Sequence, residues 1–276
     1  MKKLKVMAAA VCALALAACM LAGCSSNNAS NDKKDAAATS SDKTALIVGF
    51  DQSYPPYGFV GNDGNFTGFD LDLAAEVASR NGWDIQLEPI DWDAKDTLLN
   101  SGAITCIWNG FTMEGREDDY TFSEPYMLNE QVIVVKKDSG ITSLSDLAGK
   151  TVVTQADSAA LDVLEGDKKD VADTFKSLQT LPDYNNAFMQ LESGMVDAVA
   201  CDLSIAQYQI AAKPDAYQQL DPLSSEHYAV GFKKGDDALA AKVTSTLKDM
   251  YNDGTVEKLI EKYADYGMSA ENWVLK

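Results

Sequence analysis

Only two arginines, Arg80 and Arg116, occur among the 276 residues, against 42 Asp and Glu, so the placement of each is informative. Arg80 lies near the C-terminal end of an apolar-periodic segment, where a solvated cation complements the helix dipole. Arg116 lies instead in a loop-like stretch, Thr112-Met-Glu-Gly-Arg-Glu-Asp-Asp, just after residues that read as a buried strand. A planar guanidinium at a strand end can grip a carboxylate with two parallel hydrogen bonds, which the point charge of lysine does not do. The residue types leave a second role equally open: a surface ion pair with Glu114, Asp118 or Asp119. Asp202 follows the apolar run 196–201. It could accept hydrogen bonds from an ammonium group, or cap a helix beginning at Leu203. The one histidine, His227, reads as an isolated surface residue. No Gly-x-Ser-x-Gly elbow, phosphate-cradling loop or metal-ligand cluster accompanies it. The legible chemistry is recognition of charge.

The elements that must position these residues alternate. Ala45–Phe50 is short and apolar, as a buried strand is. Asp70 then opens a helical stripe of Leu71, Leu73, Ala74, Val77 and Ala78 that ends at Asn81-Gly82. A strand is expected at 85–90, a helix from about Asp93 to Gly102, and a strand at 103–108. Further strands are expected at 151–154 and 196–201, with helices at 158–164 and 184–192. The tail, 236–263, reads as helix interrupted at Gly254. Such alternation predicts an α/β fold with mainly parallel sheets. Ligands in such folds sit beyond the carboxyl ends of strands.

The N-terminus carries Lys2, Lys3 and Lys5 before an apolar run, 6–21, too short for a membrane span and patterned as a signal peptide. It closes on Leu21-Ala22-Gly23-Cys24, which resembles the lipobox of bacterial lipoproteins. That resemblance implies removal of residues 1–23 and acylation of Cys24, with palmitate among the expected chains; two or more chains make such an anchor stable. Residues 25–44 contain no aromatic or branched aliphatic side chain, so they cannot bury enough surface to fold. As a coil they form a tether of roughly 25 Å average reach. About 230 residues remain, enough for one large domain or two small lobes. Removing three lysines from 23 basic residues leaves 20 against 42 acidic ones, a mature charge of about −22. That balance argues against nucleic acid as a partner, since neutralising phosphates needs clustered Lys and Arg. Cys106 and Cys201 read as buried free thiols, and neither a metal nor a cofactor is expected.

Read in order, several segments resemble the polar amino acid-binding proteins of ABC transporters, the bacterial extracellular solute-binding proteins of family 3. Gly49-Phe50-Asp51-Gln-Ser-Tyr54-Pro55-Pro56-Tyr57 resembles their opening strand and loop, and Gly68-Phe69-Asp70-Leu71-Asp72 the start of their first helix. Trp92-Asp93, Leu99, Ser101-Gly102 and Ile104 resemble the next helix and strand. Arg116 through Phe122-Ser123-Glu124-Pro125-Tyr126 resembles their carboxylate-binding loop and first crossover. Leu147-Ala-Gly149-Lys150, Gln155, Ser158, Gly194, Val196-Asp197-Ala198, Asp202 and Tyr228-Ala-Val-Gly-Phe-Lys complete the series, which spans 45–265.

The resemblance implies a type II periplasmic binding protein fold: two α/β lobes joined by a hinge of two crossover strands. Lobe one is expected to comprise 45–129 and 229–276, and lobe two 130–228, with crossings near 128–132 and Tyr228. Arg116 is then expected to clamp a ligand α-carboxylate with the backbone N–H groups of Thr112, Ser158 and Ala159. Asp202, the Gly110 carbonyl and the Thr112 hydroxyl would hold the α-ammonium. Asp51, Tyr54, Trp92 and Asn109, with Tyr57 beside them, would line the side-chain pocket, where a carboxylate at Asp51 disfavours an acidic ligand. The expected ligand is a free amino acid, neutral polar or basic, and the expected partners are an ABC permease and its ATPase. The protein is expected to be a monomer outside the cytoplasm, held to the cell membrane by its lipid. Three departures from the family pattern stand out. The Thr112–Arg116 spacing is one residue shorter than usual, Met113-Glu114-Gly115 replaces the common Thr-Pro-Glu, and Asp157-Ser-Ala replaces the common Gly-Ser-Thr, placing a negative side chain near the carboxylate. The same fold also hosts a cyclohexadienyl dehydratase, and a binding protein of this kind can instead serve a sensory receptor. The lack of a poised acid or base and the ammonium-binding role of Asp202 favour binding without catalysis.

Overall fold

The computed structural model describes residues 44–276. The expected signal peptide, Cys24 and all but the last residue of the tether lie outside the described residues.

Strand β1 (Ala45–Phe50) buries Leu46, Val48 and Phe50 completely, the alternation of a strand packed by helices. A short ribbon follows, β2 (Ser53–Tyr54), β3 (Gly58–Val60) and β4 (Phe66–Thr67). Helix α1 (Phe69–Asn81) buries Phe69, Asp70, Leu71, Leu73, Ala74, Val77 and Ala78. It ends where left-handed Gly82 donates to the carbonyls of Ala78 and Ser79, a conformation glycine adopts without penalty. Next come β5 (Asp84–Pro89), a 3-10 turn over Trp92–Ala94, helix α2 (Lys95–Ser101), and the short strands β6 (Cys106–Ile107) and β7 (Tyr120–Phe122).

The ten-residue strand β8 (Met127–Lys136) leads into β9 (Thr151–Gln155), α3 (Ala159–Glu165), α4 (Lys169–Ala172), β10 (Ser177–Leu181) and α5 (Tyr184–Ser193). Then follow β11 (Ala198–Asp202), α6 (Leu203–Ala212), β12 (Tyr217–Gln219) and β13 (Ser224–Tyr228). The chain closes with β14 (Gly231–Lys233), α7 (Asp237–Asn252) and α8 (Thr255–Lys262).

These strands form two main sheets, one in each lobe. The first runs β5-β1-β6-β14-β7; the second runs β10-β9-β11-β8-β12, with β13 added to β8. The chain leaves the first sheet into β8 and returns from β13 into β14. Those two strands lie antiparallel side by side, from Met127 opposite Tyr228 to Gln131 opposite Ser224. The expected α/β fold with two crossover strands is therefore present.

Three local expectations are corrected. The sheets are mixed and not mainly parallel, because β8 and β14 run against their neighbours. The strand expected at 103–108 shrinks to two residues, since the amides of Ala103 and Ile104 fold back onto the Leu98 carbonyl after left-handed Gly102. The helix expected from Asp93 starts as a 3-10 turn before α2.

Candidate functional site

Between the lobes lies a closed-down cleft that leaves a cavity of about 10 Å³. Tyr54, Trp92, Asn109, Gly110, Thr112 and Arg116 line it from the first lobe; Gln155, Ser158, Ala159 and Asp202 line it from the second. Nine of the ten ligand-binding residues expected from sequence converge here. The tenth, Asp51, sits one contact behind the wall, where Gln155 Nε2 donates to its Oδ2 at 2.7 Å. Tyr57 is not in this wall. It is buried with its ring edge-on to Tyr228 and faces a separate cavity behind the hinge.

The loop carrying Arg116 is stitched to the returning chain: the Met113 amide donates to the His227 carbonyl, and the Ala229 amide to that of Phe111, each at 3.0 Å. A tight turn at Gly115, φ 79°, brings the Arg116 amide back to the Met113 carbonyl at 3.1 Å. The guanidinium lies 5.1 Å over the Phe111 ring with its side chain 13% exposed, so its orientation is fixed by packing. Its ion-pair partner is none of the three acids considered from sequence. Nη2 donates to Asp162 Oδ2 at 2.7 Å, across the cleft on α3. Glu114 turns instead to His227, accepting from its backbone N at 2.8 Å and lying 2.6 Å from its ring Nδ1.

Asp202 occupies the N-cap position of α6, yet its side chain makes no cap bond. Its Oδ1 accepts from Asn129 Nδ2 at 2.9 Å, Gln131 Nε2 at 2.7 Å and the Tyr228 hydroxyl at 2.9 Å. The capping role considered from sequence is therefore not its role. Glu226 stands beside it, its Oε1 accepting from the same two amides and from the Thr112 hydroxyl at 2.7 Å. Burial, and then the charge of Asp202, push the Glu226 carboxyl above the usual range.

On the facing wall Ser158 caps α3, accepting from the Leu161 amide at 3.2 Å and donating to the Gln155 carbonyl at 2.8 Å. Asp157 adopts the left-handed region at φ 57°, and its carboxylate ion-pairs with Lys95 of α2. Its carbonyl accepts from Trp92 Nε1 at 3.2 Å. The negative charge introduced at this position is thus paired with a cation. Trp92 itself packs edge-on to Phe111 while lining the cavity.

Asn109 is 1% exposed, and neither its Nδ2 nor its Oδ1 meets a protein partner. A buried amide in that state favours a polar ligand group beside it. Its neighbour Gly110, at φ 58°, donates to Asp70 Oδ2 at 2.6 Å, and the Tyr126 hydroxyl donates to the same oxygen at 2.7 Å. Burial raises Asp70 to about 7. Asp51 is raised by burial, and further by Asp183 and Asp91, while bonds from the Ser53 amide and Gln155 oppose the shift.

Sequence reasoning assigned no site role to Gln155, Glu226, Asn129, Gln131, Lys95 or Asp162. A signal existed for two of them: Asn129 and Gln131 share with Met127, Ile133 and Val135 a face of β8 that is otherwise apolar. The arrangement sets a cationic fork, Arg116, and a buried carboxylate, Asp202, on different sides of one small cavity, with Glu226 behind Asp202 and Thr112 and the unsatisfied Asn109 amide in the wall. That suits a small zwitterion.

A profile of bacterial extracellular solute-binding proteins, family 3, matches residues 46–266. The chain is 30% identical over 258 residues to the arginine-binding extracellular protein ArtP of Bacillus subtilis, covering 91% of this chain and 96% of that protein. It is 28% identical to the L-cystine-binding protein TcyJ of Escherichia coli, over 80% of this chain and 83% of that one. Among solved structures it resembles an ABC uptake transporter substrate-binding protein from Streptococcus pneumoniae with bound histidine. That likeness has a TM-score of 0.77 at 34% identity, covering 79% of this chain and 92% of the other.

Proposed function

The chain belongs to the bacterial extracellular solute-binding proteins of family 3, and from that premise we propose that it captures a free amino acid in the interlobe cleft for an ABC importer. One observation carries this reading: Arg116 and Asp202, from different lobes, line the same small cavity. Arg116 holds the α-carboxylate, with the N–H groups of Thr112, Ser158 and Ala159. Asp202, the Gly110 carbonyl and the Thr112 hydroxyl hold the α-ammonium. Charge-assisted bonds contribute about 1.5–3 kcal/mol each. Micromolar affinity requires about 8 kcal/mol net, so a few such bonds suffice.

The side chain of the ligand extends toward Asn109, Trp92 and Tyr54, with Asp51 behind Gln155. The buried carboxylate and the unsatisfied amide favour a neutral polar or basic ligand over an acidic one. The cleft binds and releases its ligand without turnover. In this reading 45–129 with 229–276 forms lobe one, 130–228 forms lobe two, and Cys24 carries the lipid that keeps the monomer beside its permease.

Calorimetric titration of the purified protein with each free amino acid tests the proposal. At least one neutral polar or basic amino acid is expected to bind with micromolar or tighter affinity, and its N-acetyl and amide derivatives are not. Arg116→Ala is expected to abolish binding while leaving the circular dichroism spectrum unchanged. Retained affinity in that variant would reject the assigned clamp.

A further inference from the structure

We propose that Glu226 is the second carboxylate of the ammonium subsite: a positioning residue on β13 that orients the Thr112 hydroxyl and shares the amide donors of Asp202. This rests on the amino-acid reading above and goes beyond it by making the subsite doubly anionic. Glu226 is 4% exposed and Asp202 5%, so both carboxylates are withdrawn from water. Asn129 Nδ2 lies 2.9 Å from Asp202 and 2.8 Å from Glu226; Gln131 Nε2 lies 2.7 Å from each. Two neutral amides thus bridge two acids. They orient the pair but supply no positive charge, and burying uncompensated charge is costly. A cation placed at the cleft end of this pair, or a proton on one member, supplies what is missing.

Thr112 gives Glu226 a second consequence. With its hydrogen directed to Glu226 Oε1, the hydroxyl presents only lone pairs to any other neighbour, and the residue lines the cavity. The hydroxyl is therefore set as an acceptor for an ammonium group and not as a donor to a carboxylate. Glu226 also lies on the strand that pairs with β8, so the charge state of the subsite is linked to the hinge.

The titratable groups around Glu226 come from several elements. Asp202 faces it from β11, and Tyr228 bonds the same Asp202 oxygen. Glu114, Asp162 and Asp167 share the outer groove that Glu226 lines. Arg116 and His227 are engaged with Asp162 and Glu114 respectively. The Glu226 carboxyl, raised by burial and by Asp202, holds its proton above the ordinary glutamate range. Binding of an ammonium group displaces that proton to solvent, so affinity rises as pH rises through the titration of Glu226.

The test uses L-arginine, L-glutamine and L-histidine as probes, titrated into the wild-type protein and Glu226→Gln between about pH 5 and pH 8. For the probe that binds, wild-type affinity is expected to rise with pH and to be accompanied by proton release, read from heats in buffers of different ionisation enthalpy. Glu226→Gln is expected to weaken binding about tenfold or more, to flatten the slope and to abolish the release. Thr112→Val is expected to weaken binding, and Thr112→Ser to restore it. Wild-type binding without proton release, or an unchanged affinity and slope in Glu226→Gln, would overturn the role of Glu226 and leave the amino-acid reading standing. Failure of the wild-type protein to bind any free amino acid would overturn both. The wild-type proton count needs no variant to fold.

Discussion

A buried carboxylate can organise a binding loop only if the loop supplies its hydrogen bonds, and Asp70 meets that condition. It lies in the first turn of α1, fully buried, and accepts from the Gly110 amide, just before the loop that carries Arg116, and from Tyr126. Burial raises its folded-state value from 3.8 to about 7. The unfolded chain ionises this group at lower pH than the folded chain does. The folded protein therefore loses stability as pH rises from about 4 to about 7, by on the order of 4 kcal/mol from this group at most. Asp70→Asn cannot titrate. Urea unfolding at several pH values in that window is expected to show wild-type stability falling relative to the variant as pH rises. Parallel profiles would contradict the assignment. The motif Gly68-Phe69-Asp70 was visible in the sequence, but its tie to Gly110 was not, because a contact spanning forty positions leaves no local trace. The same holds for Arg116. Its loop was legible, whereas its partner was sought among adjacent acids and found across the cleft at Asp162. Local pairing is the natural guess from a string of letters. The fold decides otherwise.

At the scale of elements, periodicity carried the reading well where one face is buried and caps are marked. Helix α1 with Gly82 and helix α5 with Gly194 follow their apolar stripes and end on left-handed glycines. It failed where backbone geometry interrupts a stripe, as after Gly102, and where strands are two or three residues long, as in β2 to β4. The junction between this ribbon and α1 is the most constrained glycine. Gly68 has φ 146° and ψ 159°, a region essentially closed to other residues, and a Cβ there would lie 2.1 Å from the Tyr57 carbonyl oxygen. Gly68→Ala is expected to destabilise the fold by at least about 1–3 kcal/mol, seen as a clear fall in Tm. It should also weaken ligand binding, since α1 carries Asp70 to the loop. An unchanged Tm would show that the ribbon moves aside at no cost.

The whole molecule joins its lobes in two ways. Strands β8 and β13 form the hinge, and contacts that cross the cleft include Asp51 with Gln155, Tyr54 with Tyr184, Trp92 and Lys95 with Asp157, and Arg116 with Asp162. In both ion pairs the cation is largely buried but the acid, Asp157 or Asp162, is half-exposed and screened by water, so they shape the closed cleft without holding it shut alone. A ligand that touches Arg116 on one side and Asp202 on the other adds differential affinity for the closed state, which is how a hinge closes. The two-lobed plan was legible through ordered motifs along the chain; the closed geometry needed three dimensions. The most direct measurement is a crystal structure of the protein with the amino acid that calorimetry selects. The account predicts its α-carboxylate against the Arg116 guanidinium and its α-ammonium against Asp202, with the side chain toward Asn109. A ligand with those ends reversed, or seated outside the cleft, would contradict it.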